Sequence, residues 1–305
     1  MTEAKDTKEL QWYGAAFLDL LGQSEILERI TELPNPDNKE EVAAFFGLIK
    51  QSFGLVDMLN DTFKKNIATL GEESSIAKGL PDDQRKQMRV FHSRPIKLHR
   101  FSDGVVVFAS VREQPDEPAL AALSAIWGLL SGCCTIYLIF LSQGYPLRGG
   151  IDLGIGLEYK EGELYGPAVH RAYKLESGIA QYPRIVIGEE LIKYLQSFES
   201  RTAPAGTSEN EQKMLFGAKQ IAAKCIKLMA RDVDGRMILD CLGDSFRLSF
   251  IEVGLGQTVY SAFDCVQAQL KDAREKKNFK LASRYLMLHQ YFTARMPKWP
   301  KRDAS

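Results

Sequence analysis

The sequence predicts an α/β (α+β) protein in which a mixed sheet is flanked by helices and followed by a helical C-terminal extension. Apolar runs of strand length alternate with helical patterns over residues 12–200, an order typical of α/β folds. The Asp103–Gly104 pair joins two of these runs, which is a strong hairpin signal. From residue 213 onward the pattern is mostly helical.

The individual elements follow from periodicity and from residues that start or end helices and strands. Asn38 and Glu41 have the spacing of a capping box and open a long amphipathic helix. Pro167 suits the first turn of a later helix, where a missing N–H costs nothing. The predicted strands are WYGAAFLDLL from residue 12, the two runs IKLHRF and GVVVFASV around the Asp-Gly turn, LRGGIDLGIGL, the EGELYG hairpin and YPRIVIG.

Residues 119–145 contain no charged side chain and are long enough to cross a membrane. Several hydroxyl residues interrupt this run, and the strands predicted before and after it belong in one sheet. A bilayer between those strands would forbid their pairing. The sequence therefore predicts a buried core helix, with a breaking turn at Ser131–Gly132.

Composition divides the chain into four parts. A polar tail covers residues 1–11, the alternating region covers 12–200, and a linker interrupted by proline and glycine covers 201–212. Residues 213–305 form the helical part. Two interpretations of this last part stand open: a regulatory module, or a packing appendage that stabilises a dimer.

Charge and cysteine content exclude several classes of protein. The 39 basic and 39 acidic side chains cancel, whereas sequence-independent nucleic-acid binding needs a basic surface. The five cysteines are odd in number and lack metal-site spacing, so we expect buried thiols in a reducing cytosol. The polar N-terminus has no apolar signal region. We therefore expect a cytoplasmic protein without a direct nucleic-acid or membrane partner.

Two aspartates stand at places where they could perform chemistry. Asp19 interrupts a buried strand, and Asp103 lies at the tip of the following hairpin. Two carboxylates at a sheet edge can hold a pair of divalent ions against a triphosphate. Gly22, just after Asp19, would let the backbone approach a phosphate. The alternative for Asp103 is a simple turn-forming role.

Four motifs in order resemble those of the class III nucleotidyl cyclases: FLDLLG, RFSDG, RGGIDLG and ELYGPAVHRAYKLE. The resemblance covers about residues 12–200 and implies a cyclase-like mixed sheet. It also implies that the ribose 3′-hydroxyl of a nucleoside triphosphate attacks the α-phosphate, giving a 3′,5′-cyclic nucleotide and pyrophosphate. Asp19, Asp103 and the carbonyl of Leu20 would hold two Mg²⁺ or Mn²⁺ ions.

The resemblance implies further roles. Arg148 would meet the phosphates, and the alternative for this residue is a surface salt bridge at the start of a strand. Cyclase domains of this family form head-to-tail dimers with sites built between them. Because this chain has one such domain, the active form should be a homodimer.

Four positions depart from the family pattern. His99 and Glu163 stand where adenylate cyclases carry a lysine and an acid that select adenine. His170 and Lys174 stand where the family has an asparagine and an arginine that steady the ribose and the transition state. Lys174 keeps a positive charge but loses the bidentate fork of arginine. His170 either donates a hydrogen bond or is a histidine of the helix surface.

The runs RGGI, YGPA and YPRI are similar to those of the bacterial pyrimidine cyclases of Pycsar antiphage defence. This resemblance implies that UTP or CTP is converted to the second messenger cUMP or cCMP, which a separate effector protein reads. Nothing in the sequence separates UTP from CTP on physical grounds, because His99 could donate to the 4-oxo group of uracil or accept from the 4-amino group of cytosine, depending on its tautomer. Of the two, UTP is our expectation. The alternatives are an adenylate or guanylate cyclase and a catalytically degenerate nucleotide-binding regulator.

Overall fold

The computed structural model describes residues 10–22, 28, 31–69, 94–101, 104–112, 119–160 and 162–302. Within these ranges the chain forms one sheet with helices on both faces. The strands are β1 (Leu10–Leu20), β2 (Lys97–Phe101), β3 (Gly104–Ser110), β4 (Leu147–Lys160), β5 (Glu163–Tyr165), β6 (Ile185–Ile187), β7 (Met229–Arg231) and β8 (Met237–Leu239).

The helices connect these strands and form most of the C-terminal part. They are α1 (Lys39–Thr69), α2 (Ala119–Ser142), α3 (Pro167–Lys174), α4 (Glu189–Ser200), α5 (Glu209–Lys227), α6 (Asp244–Glu252), α7 (Thr258–Glu275) and α8 (Phe279–Arg295). A π-helical turn, Leu175–Ile179, directly continues α3. The predicted mixed α/β class is therefore confirmed.

The sheet has the strand order β2-β3-β1-β4-β6-β8-β7, and β5 pairs with β4. Strand β1 lies between β3 and β4 and is antiparallel to both. Together with α1 and α2, strands β1 to β4 form the split βαβ arrangement of ferredoxin-like folds. Strand β6 then adds to β4 in a parallel direction.

Alternate residues of β1 face two different helical layers, as the two-residue period of a strand requires. Ala16, Leu18 and Leu20 belong to the main core, which includes α1 and α2. Tyr13, Ala15 and Phe17 pack in a second cluster with two alanines of α3. We call the side of the sheet that carries this second cluster the α3 face. Asp19 falls on this face, two residues after Phe17.

Helix α2 runs without interruption through the core, and most of its residues are buried. The prediction of a buried core helix is confirmed, whereas the predicted breaking turn at Ser131–Gly132 is wrong. The Ser131 hydroxyl donates to the Trp127 carbonyl over 2.8 Å, so the serine is satisfied within the helix. Gly132 instead gives room to Phe63, whose ring lies 3.0 Å from where a Cβ would stand.

By length and composition alone, two helices of the described chain could cross a membrane: α2 and the Lys39–Lys65 part of α1. In α2, 72% of the most apolar stretch is buried inside the protein. The strands before and after α2 both pair with β1, as the sequence predicts. The five cysteines are free thiols, and four of them are buried.

The β7–β8 hairpin extends the sheet beyond the region of the predicted strands. Ile238 pairs with Val186 of β6, so a hairpin from the C-terminal part continues the same sheet. Arg184, just before β6, forms ion pairs with Asp232 and Asp234 of the β7–β8 turn. Only 5% of the Arg184 side chain and 7% of the Asp232 side chain are exposed. This buried cluster joins the two parts of the chain.

We expect Arg184→Met to destabilise the protein strongly, because it leaves the buried carboxylate of Asp232 without its guanidinium partner. Loss of one partner of a buried ion pair costs about 3–5 kcal/mol in the free energy of unfolding. Urea unfolding followed by circular dichroism would measure this loss. Lys193→Met, which breaks an exposed ion pair with Glu190, is the matched control and should leave stability unchanged. Equal stability of both variants would contradict the structural role of Arg184.

Candidate active site

Asp19 lies one residue before the end of β1, on the α3 face of the sheet. It is directly opposite Arg148 of β4 and Gly104 of β3. The Arg148 Nη2 atom is 3.2 Å from the Asp19 Oδ2 atom. The side chain of Asp19 is 15% exposed, so a mostly buried strand carries, one residue before its end, a carboxylate that solvent can reach.

Arg148 also contacts a second carboxylate. Its Nε atom donates to Glu176 Oε1 over 2.5 Å, and its Nη2 atom lies 2.5 Å from the same oxygen. Only 3% of the Glu176 side chain is exposed. The guanidinium therefore lies between one buried and one partly exposed carboxylate.

Close packing of α3 on β4 brings Glu176 to this place. A Cβ on Gly150 would lie 2.3 Å from the Ala172 carbonyl oxygen, and one on Gly154 would lie 2.9 Å from Ala168. Only glycine permits this approach of helix to strand. Ala168, Ala172 and Glu176 are spaced by four residues, so the carboxylate continues the helix face that packs on the sheet.

The residues of the turn before α3 also explain its conformation. Gly166 has a φ of +129°, which lies in the region that favours glycine. A Cβ there would stand 3.1 Å from the Ile155 carbonyl oxygen. Pro167 follows as the first helical residue, as predicted. At the other end, the π-helical turn contains Glu176, and such turns are frequent at functional sites.

The other residues predicted around Asp19 lie at the end of β1. Leu20 is buried in the main core. Gly22 has a φ of +91° in the turn that follows, and a Cβ there would meet no atom of the described residues within 4 Å. Asp103 lies outside the described residues. Its neighbour Gly104 pairs with Asp19.

Of the two predicted base-selecting residues, His99 lies elsewhere on the same face, and Glu163 lies on the neighbouring strand β5. His99 of β2 is in register with Val106, which is in register with Phe17. By strand spacing, the Cα atoms of His99 and Asp19 are about 12 Å apart. Glu163 begins β5, and a Cβ on Gly162 before it would stand 3.8 Å from the Leu98 carbonyl oxygen. The structure thus brings the region around His99 close to the region around Glu163, and both lie at a distance from Asp19.

His170 and Lys174 both lie on α3, four residues apart, and both are exposed. The helix spacing places them on one face, as predicted. Between them, Tyr173 packs its ring against Phe17, with the ring centroids 5.3 Å apart. In one copy of the chain, His170 and Lys174 thus point away from the packed interface between α3 and the sheet.

The described residues contain no group of three or more histidine, cysteine or acidic side chains that could hold a metal ion. The donor that is described, the Asp19 carboxylate, is of the oxygen type that Mg²⁺ and Mn²⁺ prefer. It is partly exposed near the end of the central strand β1 and has polar as well as apolar neighbours. Asp19 therefore fits a divalent ion, provided that the ion shares or replaces Arg148 at the Oδ2 atom.

Two acidic residues of the α3 face were not foreseen from the sequence in these roles. The sequence signal for Glu176 is its spacing: it follows Ala168 and Ala172 at intervals of four residues, which places it on the buried face of the helix. Asp152 of β4 accepts a hydrogen bond from the Leu191 amide over 3.0 Å and so satisfies the first turn of α4. No local sequence signal shows this, because the cap comes from a strand that lies 39 residues earlier.

The sequence matches no protein-family model, and a search of curated proteins gives no significant match. Among solved structures, the chain is similar to the adenylyl cyclase CyaB from P. aeruginosa, with 16% identity and a TM-score of 0.35 over 66% of this chain and 91% of that one. Two structures described as bacterial light-regulated adenylyl cyclases show 14% and 17% identity with TM-scores of 0.36 and 0.33. These alignments cover 73% and 71% of this chain and 60% and 99% of those chains. Values this low carry no argument about chemistry.

We expect Asp152→Asn to change how stability depends on pH. Burial raises the pKa of the Asp152 carboxyl, against the lowering effect of hydrogen bonds from the Leu153 and Leu191 amides. A raised folded pKa means that the folded state holds the proton more tightly than the unfolded state. The wild type therefore loses stability as pH rises between the ordinary carboxyl pKa and the raised value, and Asp152→Asn should not show this loss.

Urea unfolding at several pH values between about 3.5 and 7 would test this expectation. The free energy of unfolding of Asp152→Asn relative to the wild type should increase with pH. Asp264→Asn, which changes an exposed carboxylate on α7, is the control and should show no such increase. A constant difference between Asp152→Asn and the wild type would contradict the effect.

Proposed function

We propose that this chain is a nucleotidyl cyclase that converts a pyrimidine nucleoside triphosphate, UTP or CTP, to the 3′,5′-cyclic monophosphate and pyrophosphate. One observation carries the proposal. Asp19, one residue before the end of the central strand β1, is a partly exposed carboxylate beside Arg148 and opposite Gly104. This is the juxtaposition expected where a triphosphate and divalent ions meet the end of a strand.

In the proposed reaction, the ribose 3′-oxygen forms a bond to the α-phosphorus. The bond from this phosphorus to the oxygen that bridges to the β-phosphate breaks, and its electron pair leaves with pyrophosphate. The hydroxyl proton passes to solvent. Such a reaction needs mainly positioning and charge stabilisation, which few residues can provide.

Asp19, Asp103 and the Leu20 carbonyl would hold Mg²⁺ or Mn²⁺, which neutralises charge on the phosphates and activates the attacking oxygen. Arg148 would orient a phosphate oxygen, since a guanidinium forms paired hydrogen bonds to such groups. The turn at Gly22 leaves space in which the backbone can approach a phosphate. Asp19, Leu20 and Gly22 are at one end of β1, Arg148 lies opposite Asp19, and Gly104, the residue after Asp103 in the sequence, pairs with Asp19.

His170 and Lys174 would act on the nucleotide of a second copy. Both are exposed on α3, and the sequence resemblance implies a head-to-tail homodimer with sites between the domains. His99 and Glu163 would contact the base, because they stand at the two positions that select adenine in adenylate cyclases. Neither is the residue that the family uses there, which favours a base other than adenine. A cytoplasmic role in antiphage defence, with a separate effector that reads the cyclic nucleotide, is part of the same resemblance.

We expect purified protein incubated with Mn²⁺ to release a cyclic pyrimidine monophosphate from UTP or CTP. Each of the four nucleoside triphosphates would be supplied separately and the products identified by mass spectrometry. Asp19→Asn and Asp103→Asn should each lower the rate at least about 100-fold, because each removes a charged ligand. Asp264→Asn, a carboxylate change on the exposed face of α7, should retain the wild-type rate.

The possible outcomes separate the parts of the proposal. A cyclic purine nucleotide as the sole product would contradict the pyrimidine specificity but not the reaction. Binding of a triphosphate without pyrophosphate release would favour a degenerate regulator. Full activity in Asp19→Asn would contradict the proposed site.

We expect the double variant His99→Lys with Glu163→Asp to shift base preference toward ATP. It restores the lysine and an acid of the family's adenine-selecting pair, and loss of a hydrogen bond in such a site changes specificity at least about tenfold. The ratio of cyclic AMP to cyclic pyrimidine product would measure the shift. An unchanged ratio, with total turnover retained, would show that other residues recognise the base.

A further inference from the structure

Arg148 is shared unequally by its two carboxylates. It lies 2.5 Å from the Glu176 Oε1 atom through both Nε and Nη2, but 3.2 Å from the Asp19 Oδ2 atom through Nη2 alone. Glu176 is also the more buried partner, with 3% of its side chain exposed against 15% for Asp19. The ion pair with Glu176 is therefore the stronger of the two, since it is shorter and less hydrated.

The packing of α3 holds Glu176 in place independently of Asp19. A Cβ on Gly150 would stand 2.8 Å from the Glu176 amide nitrogen, so the backbone of Glu176 lies directly on β4. A carboxylate this deeply buried requires a cationic partner to remain charged. Arg148 provides that partner, and movement of the whole guanidinium away from Glu176 would be costly.

A divalent ion and the guanidinium cannot both occupy the same side of Asp19 without repulsion. Arg148 already contacts the Oδ2 atom of Asp19. An ion that binds Asp19 would bring two further positive charges within a few ångströms of the guanidinium, and like charges at such distances repel strongly in a partly buried site. Binding of the ion and contact of Asp19 with Arg148 therefore compete.

We propose that Arg148 is the counterion of Asp19 in the metal-free protein, that a divalent ion replaces it there, and that Glu176 retains the displaced guanidinium beside the end of β1. This inference rests on the proposed function, because it takes Asp19 as a metal ligand. Glu176 is a positioning residue in this scheme. It acts through Arg148 and lowers the cost of metal entry by offering the guanidinium a second carboxylate.

The scheme makes opposite predictions for two variants of the full chain. Arg148→Met combined with Glu176→Gln removes the competing cation and leaves no unpaired charge at position 176, so Mn²⁺ should bind about 10-fold more tightly than in the wild type. Glu176→Gln alone removes the carboxylate that competes with Asp19 for Arg148. The guanidinium then pairs with Asp19, so Mn²⁺ should bind about 10-fold more weakly. A purely structural role for Glu176 would not predict opposite signs.

The measurement is a titration with Mn²⁺ in the absence of nucleotide, with free Mn²⁺ followed by electron paramagnetic resonance. Arg171→Met is the matched control, since Arg171 lies on α3 and pairs at 3.8 Å with Asp152 rather than Asp19. It should change the affinity by less than about twofold. Asp19→Asn should abolish binding at this site. Thermal unfolding by circular dichroism identifies any variant that does not fold.

The outcomes distinguish this inference from the function on which it rests. If the wild type without nucleotide shows no Mn²⁺ binding that depends on Asp19, the exchange of Arg148 for the ion is wrong, whereas the proposed function is tested separately by the activity of Asp19→Asn with nucleotide present. If binding depends on Asp19 but is equal or weaker in the double variant, the exchange of Arg148 for the ion is wrong. The double variant decides the question even if Glu176→Gln alone fails to fold.

Discussion

The contact between β4 and α3 is the constraint on which the rest of the site depends. Gly150 and Gly154 carry no side chain, so the helix lies directly on the strand. This approach buries Ala168 and Ala172 and brings the following turn, with Glu176, to the start of β4. A larger residue at Gly150 would separate the helix from the sheet and withdraw the carboxylate that holds Arg148.

The sheet supplies the second half of the site through its register. Because β1 is antiparallel to both neighbours, Asp19 lies beside Arg148 on one side and Gly104 on the other. Residues 129 positions apart thus form one ion pair. Arg184 joins β6 to the β7–β8 turn in a similar way. Ion pairs at both places connect distant parts of the chain, and their partners are not readable from spacing.

Much of the architecture could be predicted because local physics dictates it. The apolar run WYGAAFLDLL indicated a buried strand, and the Asp-Gly pair in the sequence indicated the hairpin of β2 and β3. The turn predicted at Ser131–Gly132 was wrong because the serine bonds within the helix and the glycine accommodates Phe63. The β7–β8 hairpin was missed because its strands have three residues each, too few to show a period against the surrounding helices.

The sequence by itself determined which residues can carry chemistry: a carboxylate in a buried strand, a glycine after it, and an arginine at the start of another strand. Those signals are local, since each depends only on the type of a residue and its position within one element. Only the tertiary structure decided that Arg148 is shared between Asp19 and Glu176, and that Asp152 caps α4. These partnerships depend on strand register and on the distance between a helix and a sheet, which are set by packing across the whole core and not by neighbouring residues.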